Sequence, residues 1–251
     1  MKTNDALRQS RRRFLHTAGA AAASIVLGRV PLAARAAGGT AEKMKIGVIG
    51  SGRVGGTVGE LWLKAGYEVM FSSLDLEHDK ALAARLGGSA RAGTSKQAAV
   101  FGDVLFIAVP YAALPQVGRD LGDALKGKIV LDACNPIPAR DGEMAVEARA
   151  KGTGIASPQF LPGARLVRAF NCVGYMSMKS EAHRAGDKLG IPLAADDSAA
   201  LQVAVRLVQD AGFEPVVVGG LARAKDFDAG TPIFGKPMTA AEVRRTLGIS
   251  S

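Results

Sequence analysis

The stretch Met44–Gly55, MKIGVIGSGRVG, decides how the rest of the chain is read. Its first half is a short apolar run, and its second half spells G-x-G-x-x-G with Gly50, Gly52 and Gly55 at the fixed places. A glycine motif of this kind carries meaning when a strand precedes it and a helix follows. Both conditions hold, because RVGGTVGELWLKAG continues with Val54, Val58, Leu61 and Trp62 on one helical face until Gly66 ends the pattern. In that setting Gly50 allows the tight turn, Gly52 lets backbone N–H groups approach a pyrophosphate, and Gly55 lets helix and strand pack closely. The helix N-terminus adds positive potential. Gly50, Ser51, Gly52, Arg53, Val54 and Gly55 are therefore the expected phosphate-binding residues of a dinucleotide site.

Outward from this unit the alternation continues. YEVMFSS is a second strand and DLEHDKALAARLGG a second helix, followed by a weak strand near Ala90–Ala92 and a short helix through Ala98–Val100. DVLFIAVP, KIVLDACNP, ARLVRAFN, IPLAAD and EPVVVGG supply five more strands, with a strong amphipathic helix over DSAALQVAVRLVQDAG before the last. The closing stretch from Leu221 reads as loop and then short helix. Continuous Val/Ile/Leu runs mark strands covered on both faces, and intervening helices mark parallel crossovers. The expected fold is α/β: a doubly wound, mostly parallel sheet of Rossmann type, with the C-terminal third packed on the same sheet.

The tip of the second strand selects the dinucleotide. An acidic residue there accepts from the adenine ribose 2′-OH and repels a 2′-phosphate. The residues present are Ser72, Ser73 and Leu74, so NADP is expected ahead of NAD, with Asp75 close by and Arg53, His78 and Lys80 adding charge around it. Ordinary turn chemistry also accounts for serines at this place.

KIGVIGSGRVGGTVGELWLKAGYEVMFSS, FIAVPYAAL, VLDACNP, LVRAFN and DAGFEPVVVGGLARAKDFD together resemble the NADP oxidoreductases of the coenzyme F420-dependent type. The resemblance runs over nearly all of 44–249. It implies transfer of a hydride between NADP and a deazaflavin- or flavin-like acceptor. Carried over by residue, it implies NADP phosphates on Gly50–Gly55, the 2′-phosphate near Ser72 and Ser73, and the nicotinamide between Val109-Pro110, Asn135-Pro136 and Asn171. Leu74 stands where members of that family commonly carry an arginine. Tyr111, Phe170 and Tyr175 fall at or just past strand ends and are the candidate acceptor pocket.

No residue is assigned a catalytic role, since hydride transfer needs two rings held face to face and little proton handling by the protein. His78 and His183 read as surface histidines, and no Ser/His/Asp, Cys/His or metal-ligand pattern is present. Cys134 and Cys172 each follow a strand, the fifth and the sixth, which are neighbours in the order 3-2-1-4-5-6. They are read as two buried reduced thiols, with a disulfide as the alternative.

The first residues carry a different message. Ser10-Arg11-Arg12-Arg13-Phe14-Leu15, an apolar run over 18–27 and Ala34-Arg35-Ala36 match a twin-arginine export signal with its cleavage site. The expected organisation is a signal peptide at 1–36, a short disordered segment at 37–43, and one nucleotide-binding domain with a C-terminal extension at 44–251. The expected location is the periplasm. The leader holds seven Lys/Arg and one Asp, which is six of the nine net positive charges, and the remainder is close to +3. A basic pI therefore gives no reason to expect nucleic acid as a partner, and the apolar run is short of the ~20 residues of a bilayer span. The expected partners are a nicotinamide dinucleotide and a small redox acceptor, with a homodimer as the candidate assembly. A second class stays open: a nucleotide-binding module without turnover, or a subunit of a periplasmic redox complex.

Overall fold

The computed structural model describes residues 43–249, and the leader read at 1–36 and nearly all of the segment at 37–43 lie outside the described residues. In chain order the elements are β1 (Lys45–Ile49), α1 (Arg53–Lys64), β2 (Glu68–Ser72), α2 (Leu76–Leu86), β3 (Ala90–Ala92), α3 (Ser95–Phe101), β4 (Val104–Ile107), α4 (Leu114–Leu121), β5 (Ile129–Asp132), α5 (Pro138–Asp141), α6 (Glu143–Lys151), α7 (Thr153–Ala156), β6 (Arg165–Arg168), α8 (Tyr175–Glu181), β7 (Gly190–Ala195), α9 (Ser198–Asp210), β8 (Glu214–Gly219) and α10 (Ala240–Leu247). The eight strands form one sheet in the order β3-β2-β1-β4-β5-β6-β7-β8. β1 to β6 pair in parallel, β7 runs antiparallel to β6, and β8 is parallel to β7. This is the doubly wound, Rossmann-type sheet, with its last two strands reversed.

Alternate residues of each central strand enter two separate cores, one on each face. Ile46, Val48, Val104, Phe106, Leu131 and Val167 pack on one side. Ile49, Leu105, Ile107, Val130 and Leu166 pack on the other. Burial on both faces is why these strands read as unbroken apolar runs. In the first core, Trp62 of α1 meets Phe106 and Phe170 edge to face at centroid distances of 5.2 and 5.7 Å, and Phe170 meets Phe213 at 6.2 Å. The Trp62 indole N–H donates to Leu207 O at 2.8 Å, and Tyr67 Oη donates to Asp210 at 2.6 Å, so α9 is fastened over α1.

Local signals fix the helix ends. Asp75 caps α2 by accepting from His78 N, Asp197 caps α9, and Thr94/Gln97 and Thr239/Glu242 form reciprocal capping boxes on α3 and α10. On either side of β5 the stretches 111–125 and 138–160, which carry no helix by pattern, fold into α4 to α7 and short 3-10 turns. These pieces are four to nine residues long, shorter than the window over which a period of 3.6 becomes visible.

Cys134 and Cys172 are both free and buried. β5 and β6 are neighbours as expected, but Cys134 belongs to one core and Cys172 to the other, on opposite faces of the sheet. Burial pushes the Cys172 thiol up to about 12 and raises Cys134 as well, with the Asp132 carboxylate adding to the second shift. No helix among the described residues is long and apolar enough to cross a membrane.

Candidate functional site

The carboxyl ends of β1, β2, β4, β5 and β6 share one rim, and the expected site residues sit along it. At its centre Gly50 takes a φ of 97°, and the amides of Gly50 and Ser51 both donate to Ser72 O, at 2.8 and 3.0 Å. The glycine loop is thereby pinned to the end of β2. A Cβ at Gly55 would lie 1.9 Å from Gly50 O, which is the close helix-to-strand approach that the motif predicts. At Gly52 a Cβ would meet nothing within 4 Å, so this glycine faces open space. The first turn of α1 has no side-chain cap and no acidic residue, which leaves its amide groups and positive end for an anion. An exposed cradle of amides at a helix N-terminus fits a pyrophosphate.

A cleft of about 520 Å³ opens beside this loop, lined by Gly50, Gly52, Ser73, Leu74, Val109 and Pro110 among others. Its apolar walls suit a ring system, and Leu74 stands fully exposed at its edge. A second cleft of about 450 Å³ is lined by Arg53, Arg85 and Lys179 with one carboxylate, Glu60, and by His78, Ser51 and Tyr175. The Arg53 guanidinium lies 5.5 Å from the centre of the Tyr175 ring. Asp79, completely buried, accepts hydrogen bonds from Ser51 Oγ and from Ser73 Oγ, the latter at 2.9 Å. Ser72 is equally buried and donates to Val48 O at 2.8 Å, so its hydroxyl is spent inside the fold.

Further along the rim, Asn135 Nδ2 donates to Asn171 O at 2.7 Å, and Asn171 Nδ2 reaches Phe227 O at 3.3 Å. Asn171 Oδ1 is buried and has no partner among the described residues. The loops around this pair are braced by Asp141, which accepts from Ala112 N and Ile137 N and pairs with Arg140 at 2.8 Å. Burial opposes the charge on Asp141, but Arg140 and the two amides outweigh it and hold the carboxyl below its usual range. Arg140 also donates to Asn135 O at 2.8 Å, which braces the loop after β5 within itself, while the Ala112 N bond to Asp141 ties that loop to the one after β4. The C-terminal segment returns to this place: besides Phe227 O, Gly235 N donates to Cys172 O at 2.7 Å.

Beneath the rim lies a buried ionic cluster. Arg168, at the end of β6, is fully buried and pairs with Asp132 at 2.7 Å and with Asp228 at 3.4 Å. Burial works against the guanidinium charge, the two carboxylates outweigh it, and Arg168 is held firmly cationic. Asp132 also accepts from Cys134 N, and Asp228 accepts from Thr153 N, both at 2.8 Å. The cluster joins β5, β6, α7 and the C-terminal segment at the base of the site.

Among the residues expected in the acceptor pocket, the structure separates the aromatics. Phe170 is in the core with Trp62, and Tyr111 is buried with its hydroxyl 3.2 Å from Ser157 Oγ, so neither lines a cleft described above. Tyr175 is half-buried in the second cleft. His78 and His183 are exposed, and no group of three metal-ligating side chains occurs among the described residues. Two important groups have no place among the candidates read from the sequence. Asp79 reads there as an ordinary acidic residue in a helix first turn, and Arg168 as the polar end of a strand. The second carried a signal, because a charge inside LVRAF needs a buried partner and VLDACNP offers one.

Residues 45–136 match the family model described as NADP oxidoreductase, coenzyme F420-dependent. The chain is 29% identical over 206 residues to an F420-dependent NADP reductase of Methanothermobacter thermautotrophicus, an alignment covering 76% of this chain and 88% of the relative. Hypothetical protein SMa0349 of Sinorhizobium meliloti has a solved structure that superposes with a TM-score of 0.67 at 25% identity, over 78% of this chain and 96% of that one. A proposed F420-dependent NADP reductase of Arthrobacter sp. FB24 superposes at 0.64 and 20% identity, over 78% and 100%.

Proposed function

We propose that this chain is a nicotinamide-dinucleotide-dependent oxidoreductase of the F420-dependent NADP oxidoreductase type, exported in folded form, which passes a hydride to a flavin- or deazaflavin-like acceptor. The observation that carries the reading is the uncapped first turn of α1, with Gly52 open to solvent beside an apolar cleft of about 520 Å³. The family match over 45–136 supports it, because that span holds the glycine loop, the β2 tip, Val109-Pro110 and Asn135-Pro136.

The residues present fit the dinucleotide. Amides of the glycine loop and of the α1 first turn would hold the pyrophosphate, and Val109 and Pro110 would wall the cleft. Asn135 and Asn171, expected beside the nicotinamide, lie further along the rim and line neither cleft, and Asn135 Nδ2 is bonded to Asn171 O. When bound in reduced form, the dinucleotide supplies two electrons and one hydrogen as hydride, and the acceptor takes any further hydrogen as a proton from water. The protein contributes binding, alignment and exclusion of water. Export in folded form accounts for the leader on such a protein, since a chain folded around a cytoplasmic nucleotide can carry it across.

The test is recovery of the mature chain from the periplasm, identification by mass of any nucleotide it carries, and a screen of acceptors. Loss of dihydronicotinamide absorbance on addition of a deazaflavin, a flavin or a ferric acceptor is the expected result. Tight nucleotide binding with no acceptor consumed would instead mark a binding module or redox-complex subunit. Recovery only from the cytoplasm, with the leader uncleaved, would overturn the export reading.

A further inference from the structure

We infer that Asp79 is a specificity-determining positioning residue which turns the site away from a 2′-phosphate and toward the 2′-hydroxyl of NAD. The inference rests on the reading that the first cleft binds a dinucleotide, and it narrows which one.

Asp79 is completely buried in the first turn of α2 and touches no cleft itself; it acts through two serines. Ser51 belongs to the glycine loop, and Ser73 follows the tip of β2 on the wall of the first cleft. Both donate to Asp79, Ser51 to Oδ1 and Ser73 to Oδ2. A serine hydroxyl has one hydrogen and two lone pairs. Ser73 Oγ has a choice of acceptors, Asp79 Oδ2 at 2.9 Å and Asp75 O at 3.1 Å, and the closer, charged one takes the hydrogen. Ser73 Oγ also accepts from Asp75 N at 3.1 Å. What it has left for a ligand is a lone pair.

A lone pair suits a ribose hydroxyl, which can donate to it. It repels a phosphate, whose oxygens are all acceptors, and the Asp79 carboxylate directly behind adds negative charge in a place with little water. Ser72 offers no replacement donor, because its hydroxyl is already bonded to Val48 O. Leu74 brings no cation to the cleft edge. The arginines and lysine nearest this region, Arg53, Arg85 and Lys179, line the second cleft and not the first. The serines that suggest NADP when read as letters thus face the ligand with the polarity that suits NAD.

Calorimetric titration of the mature protein with NAD and with NADP, on the parent and on two variants, tests the inference. Asp79→Asn keeps the shape but removes the charge, so the NADP-to-NAD affinity ratio should rise about ten-fold or more, the scale of a charge-assisted hydrogen bond. Ser73→Ala, at a half-buried position that disturbs no core packing, should weaken NAD about three-fold or more while leaving NADP unchanged or improved. A thermal melt on each variant separates misfolding from specificity, and Ser73→Ala decides the matter if Asp79→Asn does not fold. A ratio that stays put in folded variants, or an equal loss for both nucleotides, overturns the role of Asp79 alone. A parent protein that binds neither nucleotide overturns the dinucleotide reading and this inference together.

Discussion

Gly52 and Gly55 are three residues apart in one motif, yet they answer to different demands. A side chain at Gly55 has no room, since its Cβ would lie 1.9 Å from Gly50 O. Gly55→Ala should therefore force the helix from the strand and cost about 1–3 kcal/mol or more, the range for overpacking, visible as a lower Tm. At Gly52 an added Cβ meets no protein atom within 4 Å, so Gly52→Val should leave Tm nearly unchanged. Its branched side chain would stand where the pyrophosphate approaches, so nucleotide affinity should fall by roughly two orders of magnitude or more. Equal affinity in Gly52→Val and the parent would remove the glycine loop from function. At this scale the sequence was legible where the backbone sets the requirement, as in the three glycines. It was illegible where one side chain decides which way another points. Ser72 and Ser73 look alike as letters, but one is sealed in the sheet and the other has its hydrogen directed at Asp79.

The short strand β6 shows the same limit at the scale of the element. Its pattern, RLVR, is that of a buried strand ending in a polar residue, and its place beside β5 follows from the common strand order. What the pattern omits is that Arg168 stays inside, balanced by Asp132 and Asp228 from 36 residues before it and 60 after. Arg168→Met would leave two buried carboxylates facing each other without a cation. The expected cost is about 3–5 kcal/mol, measured as a lowered denaturant midpoint, as for other buried pairs broken on one side. A control is the exposed pair Arg91–Glu68, where Arg91→Met should cost less than about 1 kcal/mol. A cost for Arg168→Met no larger than for this control would mean that water reaches the cluster. Strands were readable because a run buried on both faces leaves a plain signature. The helices α4 to α7 were not, because each is too short to display a period and is held by contacts, such as Gly118 against the Phe160 carbonyl, that a single sequence does not reveal.

Over the whole molecule, the order of the first six strands was legible and the reversal of β7 was not, since an apolar run buried at all six positions carries no direction. The reversal sends the chain to the opposite edge of the sheet and obliges the C-terminal segment to travel back to the rim, where Phe227 and Asp228 meet Asn171 and Arg168. The two halves of the protein are also joined through hydroxyls that must keep their protons. Tyr111 is pushed up to about 12 by burial, and Tyr67 is raised further by burial and by its bond to Asp210. An unfolded tyrosine titrates near 10, so below that pH both states of these two hydroxyls are protonated and their contribution to stability is fully present. As pH rises from about 10 through 12 the unfolded chain alone gives up these protons, and stability should fall across that window. Denaturant midpoints measured from pH 8 to 12 check this; a flat profile would mean that neither hydroxyl is sealed. Finally, the position of Trp62 has an optical consequence. It is the one tryptophan of the chain, and it is wrapped by Phe106 and Phe170 with its N–H held by a carbonyl 145 residues later. Its emission is therefore a built-in, label-free gauge of when the last third of a newly made polypeptide docks on the first.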